Sequence, residues 1–290
     1  MKEVYTIIVT FNGQKWIRKC LESLNQSNYI TKIIVVDNNS SDQTLSIIAD
    51  FNNIILLKQE QNLGFGKANN IGIQKAIELG AEYIFLLNQD TFIYNDTIEN
   101  LITEAEKNPD FGIISPLHLS SDEKKLDSNF ATYLSREIEE KNEIKIVDFV
   151  NAAAWLLSKQ CIEKVGFFEE WFSHYGEDRN YCNRVLFHSF KIGITEKSKI
   201  VHDRVVLRDF NKDKIQSKYG ILATFLNVNK SLNSAIYLAF KQVFGLSKHF
   251  MTYYSFSKII VLFFHLTFYY FNLIFRIGKI RRKRIKYTLC

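Results

Sequence analysis

The sequence predicts an α/β protein built on a mixed, mostly parallel sheet, with a helical region at its C-terminal end. Short β-branched runs alternate with stretches of helical period over the first hundred residues. Repeats of this length produce parallel strands joined by right-handed crossovers. Beyond residue 210 the alternation stops, and the chain becomes helical, aromatic and basic. We therefore expect two regions, residues 1–210 and residues 211–290.

The elements of the first region follow a regular order. Strands are predicted at Val4–Thr10, Lys32–Val36, Ile54–Leu57 and Tyr83–Leu87, with helices between them at Gln14–Ser27, Thr44–Asp50 and Ala68–Leu79. The fourth strand is continuously apolar, as expected of a strand covered on both faces. Polar turns follow three of the strands, at Thr10–Gly13, Asp37–Asp42 and Asn88–Thr91. Open sheets bind ligands at this carboxyl edge.

The pattern is looser from Pro109 onward. Residues 118–145 are polar and charged, which indicates an excursion or a hairpin. The later predicted elements are an apolar run at Asp148–Leu157, helices at Lys159–Val165 and Glu177–Phe187, a last strand at Ile200–Val206, and helices at Ile221–Gly245 and Met251–Ile280.

Composition excludes several classes of protein. With 47% hydrophobic and 23% charged residues in 290, the chain is neither disordered nor collagen-like. Its four cysteines lie far apart, which argues against a disulfide framework or a zinc site. The N-terminus lacks the long apolar segment of a signal peptide. The net charge of +6 is uneven, since residues 1–201 carry −7 and residues 202–290 carry +13.

Two acidic residues follow predicted strands at the same sheet edge. Asp37 can accept hydrogen bonds from a base or from ribose hydroxyls, and Asp90 can hold Mg²⁺ or Mn²⁺ beside a diphosphate. For either residue alone, a turn or capping role is the alternative. Two strand-end carboxylates in one sheet favour the ligand interpretation. The glycines of Asn62–Gly66 fit either a close ligand or a tight turn.

Acidic and basic side chains also mark the end of the first region. Glu177 and Asp178 open a helix after Gly176, where they either complement the helix dipole or supply a general base. His202 follows an apolar strand and is either structural or a metal ligand. Arg204 either contacts a pyrophosphate or lies on the surface.

The order of these motifs is more specific than any one of them. The segments VTFN, IIVVDNNSSDQT, NLGFGKANNIGI, FLLNQDT, NAAAWLLSK and VGFFEEWFSHYGED occur in this order within residues 4–205. Together they resemble the family 2 glycosyltransferases, which have the GT-A fold. The wording of NNSSDQT, NLGFGKANN and LLNQDT is most similar to the bacterial rhamnosyltransferase-type branch, which builds O-antigens and capsules.

The resemblance implies a role for each matching residue. Those implied for the nucleotide-sugar donor are Thr10, Phe11, Asn12, Asp37, Asn39, Asn62, Lys67, Asn88, Gln89 and Arg204. Asp90 matches the last position of the family's DxD-like motif and, with His202, implies the metal site. Asp178 matches the catalytic base, with Glu177 beside it. A nucleotide-sugar half at about 1–115 and an acceptor half at about 116–210 are implied as well.

The implied reaction is inverting transfer of a sugar from a nucleotide diphosphate to a hydroxyl of a growing, polyprenol-linked polysaccharide. Rhamnose from dTDP-rhamnose is the expected donor group, and a UDP-sugar or a donor of galactofuranose, glucose or N-acetylglucosamine is the alternative. The expected cofactor is Mg²⁺ or Mn²⁺. Because transfer inverts the anomeric centre in one step, no covalent glycosyl-enzyme is expected.

Some positions depart from the family pattern or leave alternatives open. Asn88 replaces the first Asp of the DxD-like motif, and Asn180 replaces the last Asp of the EDxD pattern. A non-catalytic glycan-binding relative therefore stays an alternative. So does a nucleotidyltransferase, although Phe11–Lys15 has one glycine where such enzymes use a glycine-rich loop. Trp155 lies in the segment implied for the acceptor, where it would stack on a sugar ring; a core aromatic is the alternative.

An apolar, aromatic run precedes a basic tail at the end of the chain. Residues 259–275 carry no formal charge but are shorter than the ~20 residues that a spanning helix needs. Polar positions recur every seven residues, at Lys258, His265, Asn272 and Lys279. They predict a polar stripe on a helix lying in a membrane interface. The basic residues of 276–290 favour anionic lipid, not nucleic acid, as the partner.

We therefore expect a cytoplasmic protein attached peripherally, through residues 250–290, to the inner face of the cell membrane. Packing of these helices on the catalytic domain, or on a second copy of the chain in a homo-oligomer, is the alternative.

Overall fold

The computed structural model describes residues 1–204 and 208–289. Within these ranges ten strands form one mixed sheet, in the order β3-β2-β1-β4-β9-β6-β10-β8-β7, with β5 paired to β10. The strands are β1 (Val4–Thr10), β2 (Lys32–Asp37), β3 (Ile54–Lys58), β4 (Tyr83–Asn88), β5 (Thr91–Ile93), β6 (Phe111–Leu119), β7 (Glu139–Lys141), β8 (Ile144–Ile146), β9 (Ala154–Ser158) and β10 (Lys191–His202). The helices are α1 (Ile17–Asn25), α2 (Thr44–Ile48), α3 (Phe65–Glu78), α4 (Thr97–Lys107), α5 (Ser128–Leu134), α6 (Lys159–Val165), α7 (Glu177–Phe187), α8 (Phe210–Leu226), α9 (Leu232–Phe250), α10 (Phe256–Phe275) and α11 (Ile277–Leu289).

The predicted α/β fold is confirmed, and its parallel part lies where the sequence repeats are most regular. Strands β3, β2, β1 and β4 are neighbours and all run parallel. Their side chains alternate between two cores, so that Ile7 and Ile34 pack under α3 while Ile8 and Val35 pack under α1. Because both faces are covered, each of these strands is apolar throughout.

The two longer helices of the parallel part begin elsewhere than predicted. α1 begins at Ile17, after a short turn, and α3 begins at Phe65, three residues before Ala68. Gly64 precedes α3 with φ +81°, and a Cβ added to it would lie 1.8 Å from the carbonyl oxygen of Ser173. Both the backbone conformation and the close approach therefore require glycine here.

The second half of the sheet is mixed. β9 lies antiparallel between β4 and β6, whereas β6 and β10 run parallel. The polar segment 118–145 forms α5 and the β7–β8 hairpin. Helix α4 and strand β6 were not predicted from the sequence. β6 contains Pro116, and proline rarely lies within a central strand, so the sequence did not indicate a strand here.

The last strand differs from its prediction at Ile200–Val206. It is β10, which begins nine residues earlier, at Lys191, and ends at His202. Residues 205 and 206 lie outside the described residues. The apolar run Asp148–Leu157 likewise becomes regular strand only from Ala154.

The C-terminal region folds as four helices where two were predicted. The predicted helix Ile221–Gly245 is interrupted after α8, and the Ser231 hydroxyl accepts the Ser234 N–H to start α9. The predicted helix Met251–Ile280 is divided in the same way into α10 and α11. Phe172 packs into the apolar core of these helices, so the two regions of the chain share a core.

The faces of α10 differ from the prediction of an exposed polar stripe. Every third or fourth residue is buried against α8 and α9, at Ile259, Leu262, Leu266, Tyr270 and Leu273. His265 and Asn272 are only half-exposed. Burial lowers the pKa of His265, and the charges of Lys214 and Lys218 on α8 lower it further, whereas Lys258 is exposed. The most exposed face is aromatic, and Phe264, Phe268 and Phe275 are 65%, 76% and 88% exposed.

Helix α11 returns to the first region and is held there by a buried carboxylate. Both oxygens of Glu169 accept hydrogen bonds from Lys283 Nζ, at 2.7 and 2.9 Å. Glu169 also accepts the Tyr287 hydroxyl and, at 3.0 Å, the Trp171 N–H. Arg284 donates to main-chain carbonyls at the end of α8. Part of the predicted basic tail is therefore used for internal packing, while Arg276, Lys279, Arg281 and Arg282 are exposed.

Replacing Glu169 with alanine is expected to lower the free energy of unfolding by about 3 kcal/mol, because Lys283 and Tyr287 lose their shared acceptor in a buried site. Chemical denaturation measures this change. Glu170→Ala is the matched control, since Glu170 is adjacent and exposed, and it should stay within about 0.5 kcal/mol of the parent. Equal effects of the two changes would contradict the assigned role of Glu169.

Candidate active site

The loops after β1 and β2 are joined by a network of hydrogen bonds. Asp37 is buried, and its carboxylate accepts the N–H and the hydroxyl of Ser40 at 3.0 and 2.6 Å. The Ser40 hydroxyl in turn accepts the Asn12 N–H, while Asn12 Oδ1 accepts the Ser41 N–H. Asn12 and Asn39 have positive φ, which asparagine tolerates better than most residues. The network leaves Asn12 and Asn39 exposed at the sheet edge.

Gln89 connects this edge to the end of β4. Its Oε1 accepts the Thr10 hydroxyl at 2.6 Å and the Phe11 N–H at 3.0 Å, and its Nε2 donates to the Phe11 carbonyl. A Cβ on Gly13 would lie 2.3 Å from Gln89 Oε1, so glycine is needed for this approach. The side chains of Thr10 and Gln89 are thus hydrogen-bonded to each other, and Phe11 is the exposed member of the group. Donor contacts of all three stay a prediction.

Asn62 and Lys67 lie on either side of the turn into α3. Asn62 Oδ1 accepts the Gly64 N–H at 2.9 Å, which shapes that turn. Lys67 lines a second cavity of about 1070 Å³ between α3 and α11, which is separate from the cavity that holds Asp178. Their predicted contacts with the donor are untested.

The structure brings Asp90 and His202 together. Thr91 pairs with His202 across β5 and β10, which places His202 Nε2 3.4 Å from Asp90 Oδ1. His202 is buried, and its Nδ1 has no hydrogen-bond partner among residues 1–204 and 208–289, whereas the Asp90 side chain is 23% exposed. Within residues 1–204 and 208–289 no three His, Cys, Asp or Glu residues lie close enough to hold a metal ion. One carboxylate and one imidazole fit a divalent cation whose other ligands come from a diphosphate.

A cavity of about 640 Å³ lies beside this edge. It contains Glu177 and Asp178 at the first turn of α7, together with Asn88 from the end of β4. Its other lining residues include Phe65, Asn129, Tyr133, Asp148, Phe149, Asn151, Arg179, Asn183, Arg204, Lys212, Gln216, Thr224, Asn227 and Gln242. Sequence motifs indicated few of these, because they are single residues from distant segments. Several belong to α8 and α9, beyond the predicted catalytic boundary at residue 210.

Burial raises the pKa of both carboxyl groups in the first turn of α7. The pKa of Glu177 is raised to about 8, first by burial and then by the charge of Asp178. Glu177 Oε2 is buried and has no hydrogen-bond partner in the part of the chain that the structure describes. Burial also raises the pKa of Asp178, while the Arg179 N–H donates to Asp178 Oδ1 at 2.7 Å and favours its charged form. The pair therefore favours a neutral Glu177 beside a charged Asp178 at neutral pH.

The turn before α7 requires glycine, and Asn180, two residues after Asp178, is structural. Gly176 has φ +86°, which lets the chain enter α7 with both carboxyl groups in the first turn. Asn180 is fully buried, and its Oδ1 accepts Arg184 Nε at 3.2 Å. An Asp at position 180 would add a third carboxylate to this turn, and the amide avoids that repulsion.

Two predicted site residues have other partners. Trp155 is completely buried, and its ring stacks on Phe168 at 6.2 Å between centroids. It cannot contact an acceptor sugar, and the core-aromatic alternative is the right one, because the antiparallel strand β9 lies inside the sheet. Arg204 does line the cavity, but its Nε and Nη2 donate to both oxygens of Asp127, at 3.0 and 2.8 Å.

Comparison with known proteins identifies the family. The family profile described as glycosyl transferase family 2 matches residues 5–166, which is more than half of the sequence. The chain belongs to this family. The low-salt glycan biosynthesis hexosyltransferase Agl10 of Haloferax volcanii is 24% identical over 81% of this chain and 76% of that protein. The dTDP-rhamnosyl transferase RfbF of Shigella flexneri is 28% identical over 69% of this chain and 68% of that protein.

Solved structures show that this family 2 member has the GT-A-type fold expected from its sequence. Staphylococcus aureus TarS residues 1–349 with UDP-GlcNAc superpose with a TM-score of 0.67 at 14% identity, over 99% of this chain and 89% of that one. The mannosyltransferase PcManGT of Pyrobaculum calidifontis, with GDP-Man and Mn²⁺, gives 0.63 at 14% identity, over 99% and 87%.

The raised pKa of Glu177 makes stability depend on pH. Between its ordinary pKa of 4.5 and about 8, the folded protein holds a proton that the unfolded chain releases. The free energy of unfolding should therefore fall as pH rises through this window. In Glu177→Gln the side chain is neutral at every pH, so this fall in the free energy of unfolding should be absent. The Tm of the parent relative to the variant should fall between about pH 5 and about pH 8. A difference that is the same at both pH values would contradict a buried, protonated Glu177.

Proposed function

We propose that this family 2 member is an inverting glycosyltransferase with Asp178 as its general base. The observation that carries the proposal is the pair of carboxyl groups with separated acidities in a cavity beside the carboxyl edge of the sheet. Neutral Glu177 leaves the negative charge on Asp178, whose raised pKa makes it a better proton acceptor than an exposed aspartate.

The reaction needs one proton transfer and one displacement. Asp178 takes the proton of an acceptor hydroxyl while the hydroxyl oxygen forms a bond to the anomeric carbon of the donor sugar. The bond between that carbon and the diphosphate oxygen breaks, and its electron pair leaves with the nucleoside diphosphate. Displacement from the opposite face inverts the anomeric centre and needs no protein nucleophile.

The leaving group, a nucleoside diphosphate, would be bound near Asp90 and His202. Asp90 and His202 are the residues that would hold a Mg²⁺ or Mn²⁺ ion, which neutralises diphosphate charge when bound. Asn88 lines the cavity together with Asp178, and it contributes an uncharged oxygen in place of the carboxylate of the usual DxD-like motif. Asp37, Asn12 and Asn39 would bind the base and ribose at the exposed edge.

The donor is proposed from resemblance. RfbF acts as a dTDP-rhamnosyl transferase by its description, and the motif wording of this chain belongs to the same branch, so dTDP-rhamnose is our first choice. UDP-GlcNAc and GDP-Man, present in the structures of similar fold, are alternatives. The acceptor would be a hydroxyl of a growing, lipid-linked bacterial glycan.

A nucleotide-sugar panel, with Mg²⁺, Mn²⁺ or a chelator, tests the proposal through slow donor hydrolysis. Hydrolysis of one donor should require the cation. Asp178→Asn should reduce donor hydrolysis at least about 10³-fold, because the amide cannot accept the proton of the attacking water, while nucleotide affinity stays within about twofold. Asp50→Asn is the matched control and should retain turnover, because Asp50 is exposed and does not line the cavity. Full activity of Asp178→Asn would exclude it as the base, and binding without any turnover would favour a non-catalytic relative.

We also propose that the aromatic face of α10 lies on a membrane. α10 is the one helix of the described chain that is long and apolar enough to cross a bilayer. Both of its neighbours belong to the same folded body, however, since α9 packs on α8 and α11 is bound to Glu169. A crossing would put α9 and α11 on opposite sides of the membrane. The helix therefore lies in the interface plane, with its phenylalanines toward the acyl chains.

Charge on the adjoining helix supports this location. Arg276, Lys279, Arg281 and Arg282 are exposed at and after the end of α10. No acidic residue occurs in 214–290, so nothing there opposes binding to anionic headgroups. Such a surface is found on the cytoplasmic leaflet, where nucleotide sugars are also present.

Flotation with vesicles of phosphatidylglycerol and phosphatidylcholine tests the surface. The double change Phe268→Ser and Phe275→Ser should weaken vesicle binding at least about tenfold, because two large apolar side chains no longer enter the bilayer. Ile30→Ser is the control, since Ile30 is also an exposed apolar residue (79%) but belongs to the loop before β2 and not to α10. Unchanged flotation would overturn the membrane proposal. Loss of a dimer in size-exclusion chromatography would instead place the aromatic face in a protein interface.

A further inference from the structure

One wall of the catalytic cavity is built by the C-terminal helices. α8 contributes Lys212, Gln216, Gly220, Ala223 and Thr224, and α9 contributes Gln242. Asn227, in the connection between them, lies on the same wall. These residues face the cavity that holds Glu177 and Asp178, although they belong to the segment that also forms the aromatic face. The C-terminal region therefore contributes to the site as well as to its location.

The chemistry of the cavity is that of a carbohydrate site. Seven carboxamide side chains line it, from Asn88, Asn129, Asn151, Asn183, Gln216, Asn227 and Gln242. Each carboxamide donates and accepts hydrogen bonds, as a sugar hydroxyl does. Asn151 Oδ1 is buried and has no hydrogen-bond partner within the described ranges, so an acceptor atom is available at the cavity wall. The rings of Phe65, Tyr133, Phe149 and Tyr175 add apolar surface.

Most of the charge in this cavity is already compensated. Arg204 is paired with Asp127 at 2.8 Å, and Arg179 lies 3.5 Å from Asp148 and 3.7 Å from the centre of the Phe149 ring. The cavity therefore favours a neutral, hydroxyl-rich ligand next to Asp178. Its volume of about 640 Å³ lies within the range that encloses a drug-sized molecule, which exceeds one monosaccharide.

One amide on this wall is held in a defined orientation. The Thr224 hydroxyl lies 2.9 Å from Gln242 Oε1 and 3.1 Å from the Gly220 carbonyl, one turn before it. The hydroxyl has one proton, which both acceptors share, so Gln242 Oε1 is directed at Thr224 and the opposite atom, Nε2, is left to donate elsewhere. Within the described residues Nε2 forms no hydrogen bond, and Gln242 lines the cavity.

We propose that α8 and α9 form an acceptor subsite that binds the sugar unit preceding the one that is glycosylated. The acceptor is then a neutral oligosaccharide of at least two units, with its terminal hydroxyl at Asp178 and its preceding unit against Gln216, Asn227 and Gln242. Gln242 is a specificity-determining residue, and Thr224 is a positioning residue that acts through it. This inference rests on the proposed function, because it takes Asp178 to be the base.

The test is binding of the parent protein, without donor, to an array of neutral bacterial mono- and oligosaccharides. Oligosaccharides should be retained in preference to their terminal monosaccharides. Gln242→Ala and Thr224→Val should each weaken oligosaccharide binding about tenfold, because a ligand hydroxyl loses its partner. Thr224→Ser should restore binding, since it keeps the hydroxyl.

Two further measurements separate this proposal from others. Asn233→Ala is the matched control, because Asn233 is an exposed amide of α9 that does not line the cavity. Affinity for dTDP and UDP should be unchanged in every variant, and the Tm of each should match the parent. Retention of no neutral oligosaccharide, or equal binding by Gln242→Ala, would overturn the subsite. Failure of the parent to hydrolyse any donor would instead count against the glycosyltransferase mechanism.

Discussion

The position of helix α7 depends on one buried guanidinium. Arg184, in the third turn of α7, is 1% exposed, and it donates to the carbonyls of Val165 and Phe167 at 2.6 and 2.8 Å. Its guanidinium also lies 4.9 Å from the ring centres of both Tyr181 and Tyr287. These contacts join α6, the loop that follows it, α7 and α11. Because α7 is held in this way, its first turn presents both carboxyl groups to the cavity.

Burial then turns two similar side chains into groups of different acidity. Among the described residues one oxygen of Glu177 has no hydrogen-bond partner, whereas Asp178 accepts the main-chain N–H of Arg179. The neutral form is favoured for the first and the charged form for the second. Such a difference arises from the environment alone, and the adjacent letters E and D do not show which group keeps the proton.

The C-terminal helices use three faces for three purposes. One face of α8 and α9 borders the catalytic cavity, the buried stripe of α10 holds the helices together, and the outer side of α10 exposes phenylalanines. Glu169 and Arg184 attach the last helix to the catalytic region. Under the proposed function, a membrane surface and an acceptor subsite are thus held in a fixed relation to Asp178, as suits an acceptor that is itself membrane-bound.

The sequence by itself determined the α/β class, the parallel strands from Val4 to Asn88, the helix at Glu177–Phe187 and the family, because local apolar periodicity and ordered motifs need no distant partner. Only the tertiary structure decided that Trp155 is a core residue, that Arg204 pairs with Asp127, and that His265 of α10 is half-buried near the lysines of α8. Each of these depends on a side chain far away in the sequence. Burial, ion pairing and the orientation of a helix are properties of the packed chain, which spacing along the sequence does not record.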